Sequence, residues 1–367
     1  MSVAAATKIT TPAGPVPATM HAAVYRGVND VRVESITVPE IGAGELLVKV
    51  HTCGICGTDL KKIASGSHST PRIFGHEMSG VVAKVGEGVT DFKIGDRVMV
   101  FHHIPCGECY FCRHKVFAQC PVYKKVGTTA GYEPAGGGFA EYIRVMDWIV
   151  RKGVVMIPDH VGFEQASFIE PVNTCLKGVK ALNLQADETV LVVGQGPIGI
   201  ILACLAKRAG ARVVVSELYP GRLKTSHTFG ITETLDTAKV NVNDRIKEIT
   251  EGRGADAVIV AVGGNGLIRP AMDATRAGGR VMLFAATQRS EVSIDPAAVC
   301  MDEKTLMGSY SASVDIQDET VDWVFNGGTD LSRLISHRYK VQEAAEAIRL
   351  AANPQPDSMK IVIQTGT

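Results

Sequence analysis

The sequence predicts an α/β protein of two domains, one β-rich and barrel-like, the other a doubly wound parallel sheet. Three observations carry that prediction. Up to about residue 160, short β-rich runs are broken by Gly, Pro and Asp, whereas from about residue 189 strands alternate with helical stretches. A Gly-rich turn, Gly194-Gln195-Gly196-Pro197-Ile198-Gly199, joins a β-branched strand to an apolar helix. Four cysteines, Cys106, Cys109, Cys112 and Cys120, form a C-x2-C-x2-C-x7-C array within the β-rich part. A chain of 367 residues is comfortable for two cores. Its 38 basic and 38 acidic residues cancel, which argues against nucleic acid or an anionic membrane as partner, since both select a basic face.

Taken in order, residues 1–19 are small, polar and Pro-containing, without the apolar core of a secretory signal. They are expected to be a disordered leader, with Met20 a candidate functional start and the protein cytoplasmic. The runs HAAVYRG, ELLVKVHT, SGVVAKVG, DRVMVF and FAEYIRV then read as strands with long functional loops between them. The four cysteines match the tetrahedral demand of a closed structural zinc site; disulfides would need an oxidising compartment and usually a smaller domain. Thr189 to Ala206 is uncharged and nearly long enough to span a membrane, but its glycines and Pro197 mark a buried strand, a turn and a buried helix instead. TVLVV, RVVVS, AVIVAV and RVMLFAA read as strands, and PGRLKTSHTFG, VNDRIKEIT and LIRPAMDATRAG as the helical stretches between them. A strand near LMGSY closes that sheet. VQEAAEAIRLA and KIVIQ have no place in it and are expected to return to the first domain.

Within the turn, Gly194 permits a tight bend, Gly196 lets the backbone approach a pyrophosphate, and Gly199 allows close helix–strand packing. The helix start after Pro197 and Ile198 presents N–H groups to phosphates. Glu217 closes the next strand, where a carboxylate accepts hydrogen bonds from ribose hydroxyls and repels a 2′-phosphate, favouring NAD over NADP. Arg222 keeps a 2′-phosphate in play. Val262, ending AVIVAV, is counted with these residues as a cofactor contact.

Upstream, HTCGICGTDLK and GHEMSGVV supply a thiolate (Cys56), an imidazole (His76), an adjacent carboxylate (Glu77) and a hydroxyl–acid pair (Thr58, Asp59). A catalytic zinc takes three protein ligands and keeps one position open. Asp59 suits the free ring nitrogen of His76, and Glu170 in SFIEPVNT falls at the domain junction. Cys53 competes with Cys56 and reads as a buried thiol.

Through GICGTD, GHEMSGVV, FKIGDRV, the cysteine array, GGGFAEY, the IEP junction and the Gly-rich turn, the chain resembles the zinc-dependent medium-chain dehydrogenases. These include alcohol, sorbitol and threonine dehydrogenases. The resemblance covers nearly everything after residue 20. It implies a GroES-like barrel catalytic domain over 20–172 and 312–367, and a Rossmann domain over 173–311. It also implies a cleft between them, two zinc ions per chain and a homodimer or homotetramer. Cys56, His76 and Glu77 match the catalytic-zinc positions, with Glu170 as a further ligand or as the holder of the zinc-bound water, and Cys175 as a weaker alternative. Glu77 and Glu170 place the chain nearer the polyol and threonine branch than the ethanol branch.

The implied reaction is reversible oxidation of an alcohol to a carbonyl, with Thr58 taking the hydroxyl proton. A polyol or sugar alcohol is the first expectation, an amino alcohol the second, and a simple alcohol or aldehyde the third. Lys61 and Lys177 stand where relatives often show histidine. The plainer reading, solvent-facing lysines with the relay carried by water, is slightly favoured; the alternative has Lys61 complete the relay or meet an anionic or polyhydroxylated substrate. Both sets of metal ligands weigh against a zinc-free reductase, and against a dinucleotide-binding protein without catalysis. The neutral charge weighs against a zinc-dependent nucleic-acid binder.

Overall fold

The computed structural model describes residues 15–123, 125–134, 136–285 and 291–365. Most of the expected leader lies outside these residues, although Thr19 already begins the first strand and Met20 is only 2% exposed. The chain divides into two compact units, Met1–Glu170 with Gln317–Thr367, and Pro171–Ile316. The expected divisions were 172/173 and 311/312.

The first unit opens with β1 (Thr19–Gly27), β2 (Asp30–Thr37), β3 (Leu46–Gly54), α1 (Gly57–Ser65), β4 (Arg72–Ile73), β5 (Glu77–Val85) and β6 (Arg97–Val100). It continues with α2 (Tyr110–Arg113), β7 (Thr128–Thr129), β8 (Tyr142–Val145), α3 (Asp147–Gly153), β9 (Val154–Met156) and α4 (Phe163–Ala166). Strands β2, β1 and β4 form one antiparallel sheet. A larger sheet is built around β3, which pairs antiparallel with β5 and β8. Leu46, Leu47, Val48 and Val50 on β3 are at most 1% exposed, so this strand is buried on both faces, as a curled sheet requires.

Helix α5 (Ile169–Leu182) leads into the second unit. There follow β10 (Thr189–Val193), α6 (Pro197–Arg208), β11 (Arg212–Glu217), α7 (Pro220–Thr228), β12 (Glu233–Asp236), α8 (Val242–Ile249) and β13 (Ala255–Val260). The unit ends with α9 (Ile268–Ala274), β14 (Thr275–Leu283), α10 (Pro296–Cys300) and β15 (Thr305–Gly308). All six strands run parallel in the order β12-β11-β10-β13-β14-β15, the doubly wound arrangement. β10 is a near-continuous apolar run because parallel strands are covered on both faces. Leu191, Val214 and Val258 pack with Ile246 of α8 and Met272 of α9. The helical reading of LIRPAMDATRAG needs correction after Ala274. Thr275 donates its hydroxyl proton to the Ala271 carbonyl, and the backbone is extended from there into β14. The apolar segment at 189–206 divides into strand, turn and helix; among the described residues no helix is long and apolar enough to cross a membrane.

After α11 (Gln317–Asn326), the chain adds β16 (Ile335–Lys340), α12 (Ala344–Ala352) and β17 (Lys360–Gln364). β17 pairs antiparallel with β3 and parallel with β16, so the last of the described strands joins the larger sheet of the first unit.

Candidate metal centres and dinucleotide turn

Among the described residues, two groups of side chains could hold a metal ion. In the first, Cys106, Cys109, Cys112 and Cys120 present their sulfurs to one another within one loop. Sγ–Sγ separations are 3.9 Å for Cys106–Cys112, 3.5 Å for Cys109–Cys112 and 3.6 Å for Cys120–Cys106. A tetrahedral zinc with Zn–S of about 2.3 Å requires sulfurs about 3.8 Å apart. The four sulfurs therefore fit zinc, and are too far apart to be disulfide-bonded. Backbone N–H groups of Glu108 and Cys109 pull the Cys106 thiol down to about 6, while burial pushes Cys112 up to about 12.

The second group is Cys56, His76 and Glu77, whose ligand atoms lie within 4.8 Å of one another. Cys56 is the N-cap of α1, and its sulfur accepts from the Thr58 N–H at 3.4 Å. Helix α1 also carries Asp59, 1% exposed, whose Oδ1 lies 3.1 Å from His76 Nδ1. Burial opposes both charges, but their mutual attraction and hydrogen bond win. Asp59 is held below the usual carboxylate range and His76 well above the usual imidazole range. Asp59 thereby orients the ring and leaves the other nitrogen to a metal. Cys53 is fully buried, and burial raises its thiol well above the ordinary value. Glu170 is 5% exposed and falls outside the three-ligand group. Burial, supported by the charge of Glu77 and opposed by that of His76, brings it to about 7. Cys175 is buried in the second unit with its sulfur 4.0 Å from the Ile198 carbonyl. Thr58 is half-buried and Lys61 exposed, both on α1.

Two features are not foreseen from the sequence. Lys360, at the start of β17, pairs with Glu77 and donates to the Ile55 carbonyl at 3.2 Å. Burial lowers its affinity for a proton, but the charges of Glu77 and Cys56 outweigh that and raise it. A Cβ on Gly54 would stand 2.6 Å from the Lys360 Cε, so the glycine makes room for this pair. Rings also run from His76 to His102 (4.7 Å), His103 (4.1 Å) and Tyr123 (5.2 Å), and Tyr123 packs on Cys112 and Cys120. A histidine pair directly before the array is the available signal.

In the second unit, Gly194 has φ +92° and Gly196 caps α6, with Pro197 in its first turn. A Cβ on Gly199 would meet the Gly194 carbonyl at 1.9 Å, whereas one on Gly196 would meet nothing within 4 Å. Val262 packs over Gly194. Glu217, 6% exposed, accepts from the backbone N–H groups of Gln195 (2.7 Å), Leu218 (2.7 Å) and Tyr219 (3.1 Å). Arg222 approaches Glu217 at 3.9 Å and lies over the Tyr219 ring. Lys177 donates to the Tyr310 carbonyl at 2.8 Å, and burial lowers its proton affinity.

A sulfur cradle, a Cys–His–Glu cluster and a glycine turn on a doubly wound sheet define a zinc-dependent dehydrogenase. Residues 42–159 match the alcohol dehydrogenase GroES-like domain, and residues 197–326 the zinc-binding dehydrogenase domain. The chain is 28% identical to sorbitol dehydrogenase of Bacillus subtilis over 354 residues, 95% of this chain and 98% of that one. It is 32% identical to L-threonine 3-dehydrogenase of Rhizobium etli over 317 residues, 85% and 89% of the two chains. The crystal structure of a zinc-binding dehydrogenase from Sinorhizobium meliloti bound to NADP superposes with a TM-score of 0.84 at 29% identity, covering 95% of this chain and 100% of that one. The chain belongs to the zinc-dependent medium-chain dehydrogenase family. It is an NAD(P)-dependent alcohol dehydrogenase acting on CH–OH donors.

Proposed function

We propose that the chain oxidises a secondary alcohol bearing a neighbouring hydroxyl or amino group, a polyol or sugar alcohol first and a threonine-like amino alcohol second. The observation that carries this reading is the cluster of Cys56, His76 and Glu77 together with the buried carboxylate of Glu170, where a second zinc thiolate near 170 would mark an ethanol-type site. Similarity to a sorbitol and a threonine dehydrogenase supports it, since both named compounds carry a hydroxyl beside a second polar group.

Cys56, His76 and Glu77 would hold the catalytic zinc, and Cys106, Cys109, Cys112 and Cys120 the structural one. The catalytic ion, when bound, supplies Lewis acidity to a hydroxyl oxygen. Asp59 fixes the ring of His76, and Lys360 balances the charge of Glu77. Thr58, two residues past Cys56, accepts the hydroxyl proton as it passes its own on to water. Glu170, buried with its carboxyl raised by that burial, is suited to hold a water or a neighbouring hydroxyl. Lys61, exposed on α1, faces the solvent, and water carries the proton away.

In the second unit, the turn from Gly194 to Gly199 receives the pyrophosphate, and Glu217 favours NAD over NADP. Val262 and Arg222 complete the cofactor contacts. The assembly proposed is a homodimer or homotetramer, which sedimentation would test. The deciding experiment follows nicotinamide absorbance with sorbitol-like polyols, L-threonine and simple alcohols, each with NAD and with NADP. Fastest turnover of a simple primary alcohol would overturn the substrate proposal, and preference for NADP would overturn the role of Glu217. Metal analysis should return two zinc ions per chain.

A further inference from the structure

Gln195 carries a side chain where the Gly-rich turn requires only a backbone, and that side chain is 0% exposed. Its Nε2 donates to the Gly194 carbonyl at 2.8 Å, and its Oε1 accepts from the Ser226 hydroxyl at 3.0 Å. Its own N–H donates to Glu217 Oε2 at 2.7 Å. Ser226 lies on α7, is also 0% exposed, and reaches the Arg222 carbonyl at 3.1 Å. Burying a carboxamide is costly unless it is hydrogen-bonded, so these bonds fix the side chain in place.

We propose that Gln195 is a positioning residue for the dinucleotide pyrophosphate, acting through the peptide it holds, with Ser226 as its anchor on α7. This rests on the dinucleotide reading of the second unit. The Gly194 carbonyl is gripped on one side by Gln195 Nε2 and closed on the other by the α-carbon of Gly199. Gly194, at φ +92°, has no Cβ to hold its own conformation, so the neighbouring side chain does so. With that carbonyl turned inward, the N–H groups at the start of α6 are left facing the phosphates. The same residue joins the pyrophosphate turn to Glu217 and to the helix carrying Arg222, making the adenosine and pyrophosphate ends of the site one hydrogen-bonded unit.

The test compares AMP, which lacks the pyrophosphate, with ADP-ribose, which has it, by calorimetric titration of the zinc-loaded enzyme. Gln195→Leu, which removes the bonds to both the Gly194 carbonyl and the Ser226 hydroxyl, should weaken ADP-ribose about tenfold, while AMP stays within about twofold. Ser226→Ala should weaken ADP-ribose about threefold, and the double variant should be no weaker than Gln195→Leu alone. Saturating dinucleotide should restore kcat in each variant, with the defect confined to KM. Unchanged ADP-ribose affinity in Gln195→Leu would overturn the proposal, as would equal loss of both ligands. Should Gln195→Leu not fold, Ser226→Ala carries the same comparison, and unchanged ADP-ribose affinity there overturns the proposal equally. A wild-type chain that binds neither ligand would overturn the dinucleotide reading beneath it.

Discussion

Lys360 and Glu77 form a buried ion pair between the last strand of the chain and the strand that begins in the metal cluster, with side-chain exposures of 7% and 2%. Removing one partner of such a pair leaves an uncompensated charge. Lys360→Met is expected to cost about 3–5 kcal/mol and to lower zinc content at the Cys56 cluster, while the four-cysteine cradle stays loaded. Denaturant unfolding and zinc analysis check this; full stability with two zinc ions per chain would show that Glu77 does not need the lysine.

Asp59 holds the ring of His76, through which it would act on a metal at the Cys56 cluster. Asp59→Asn should leave the fold intact and weaken zinc at the Cys56 cluster about 10–100-fold, the usual cost of losing such a support. Competition with a chelator measures it, and unchanged affinity would remove the orienting role.

The two glycines of the turn separate folding from binding. At Gly199 a methyl group collides with the Gly194 carbonyl, so Gly199→Ala should lower the melting temperature and abolish dinucleotide binding. At Gly196 the space is open, so Gly196→Ala should melt like the wild type and still lose dinucleotide, because the methyl group stands where the pyrophosphate approaches. Melting curves with and without NAD distinguish the two; equal behaviour would contradict the assignment.

Glu164 on α4 is held below its ordinary range by two hydrogen bonds from Arg338, of 2.6 and 2.8 Å, helped by Gln364. A depressed carboxyl stabilises the folded state above its unfolded value of about 4.3, and that contribution fades as pH falls through the lower folded value. The arginine is 45% exposed, so solvent screening limits the gain to about 1 kcal/mol or less. Wild type and Glu164→Gln should therefore differ in stability at pH 7 and converge as the pH falls through the lowered folded value. A constant gap would contradict the linkage.

Breaking the cradle tests the other metal. Cys109→Ser should release one zinc and lower thermal stability, with the Cys56 cluster still loaded. Loss of both ions would show that the ring ladder from Tyr123 to His76 couples the two centres.

What the sequence revealed was local. The cysteine array, the Gly-rich turn and the Cys-Gly-Thr-Asp start of α1 each place their ligand groups within a few turns of chain, where spacing alone constrains geometry. Lys360 contacts a residue 305 positions away, and no local pattern announces a lysine opening an apolar strand as buried. Gln195 illustrates a different limit. The glycine spacing exposes the turn, but only the arrival of α7 with Ser226 gives the intervening side chain something to hold. The helix α9 ends earlier than its composition suggests because the sheet claims Thr275 and the residues after it.

The two metal centres also differ in when they can exist. Cys106 and Cys120 stand only 14 positions apart, so the cradle's sulfurs can gather while most of the polypeptide is still being synthesised. At the Cys56 cluster, by contrast, Glu77 gains its partner from the polypeptide only once Lys360 emerges and docks. Zinc captured on the ribosome is thus expected in the cradle first, giving the newborn chain one metallated lobe around which the long-range sheet closes.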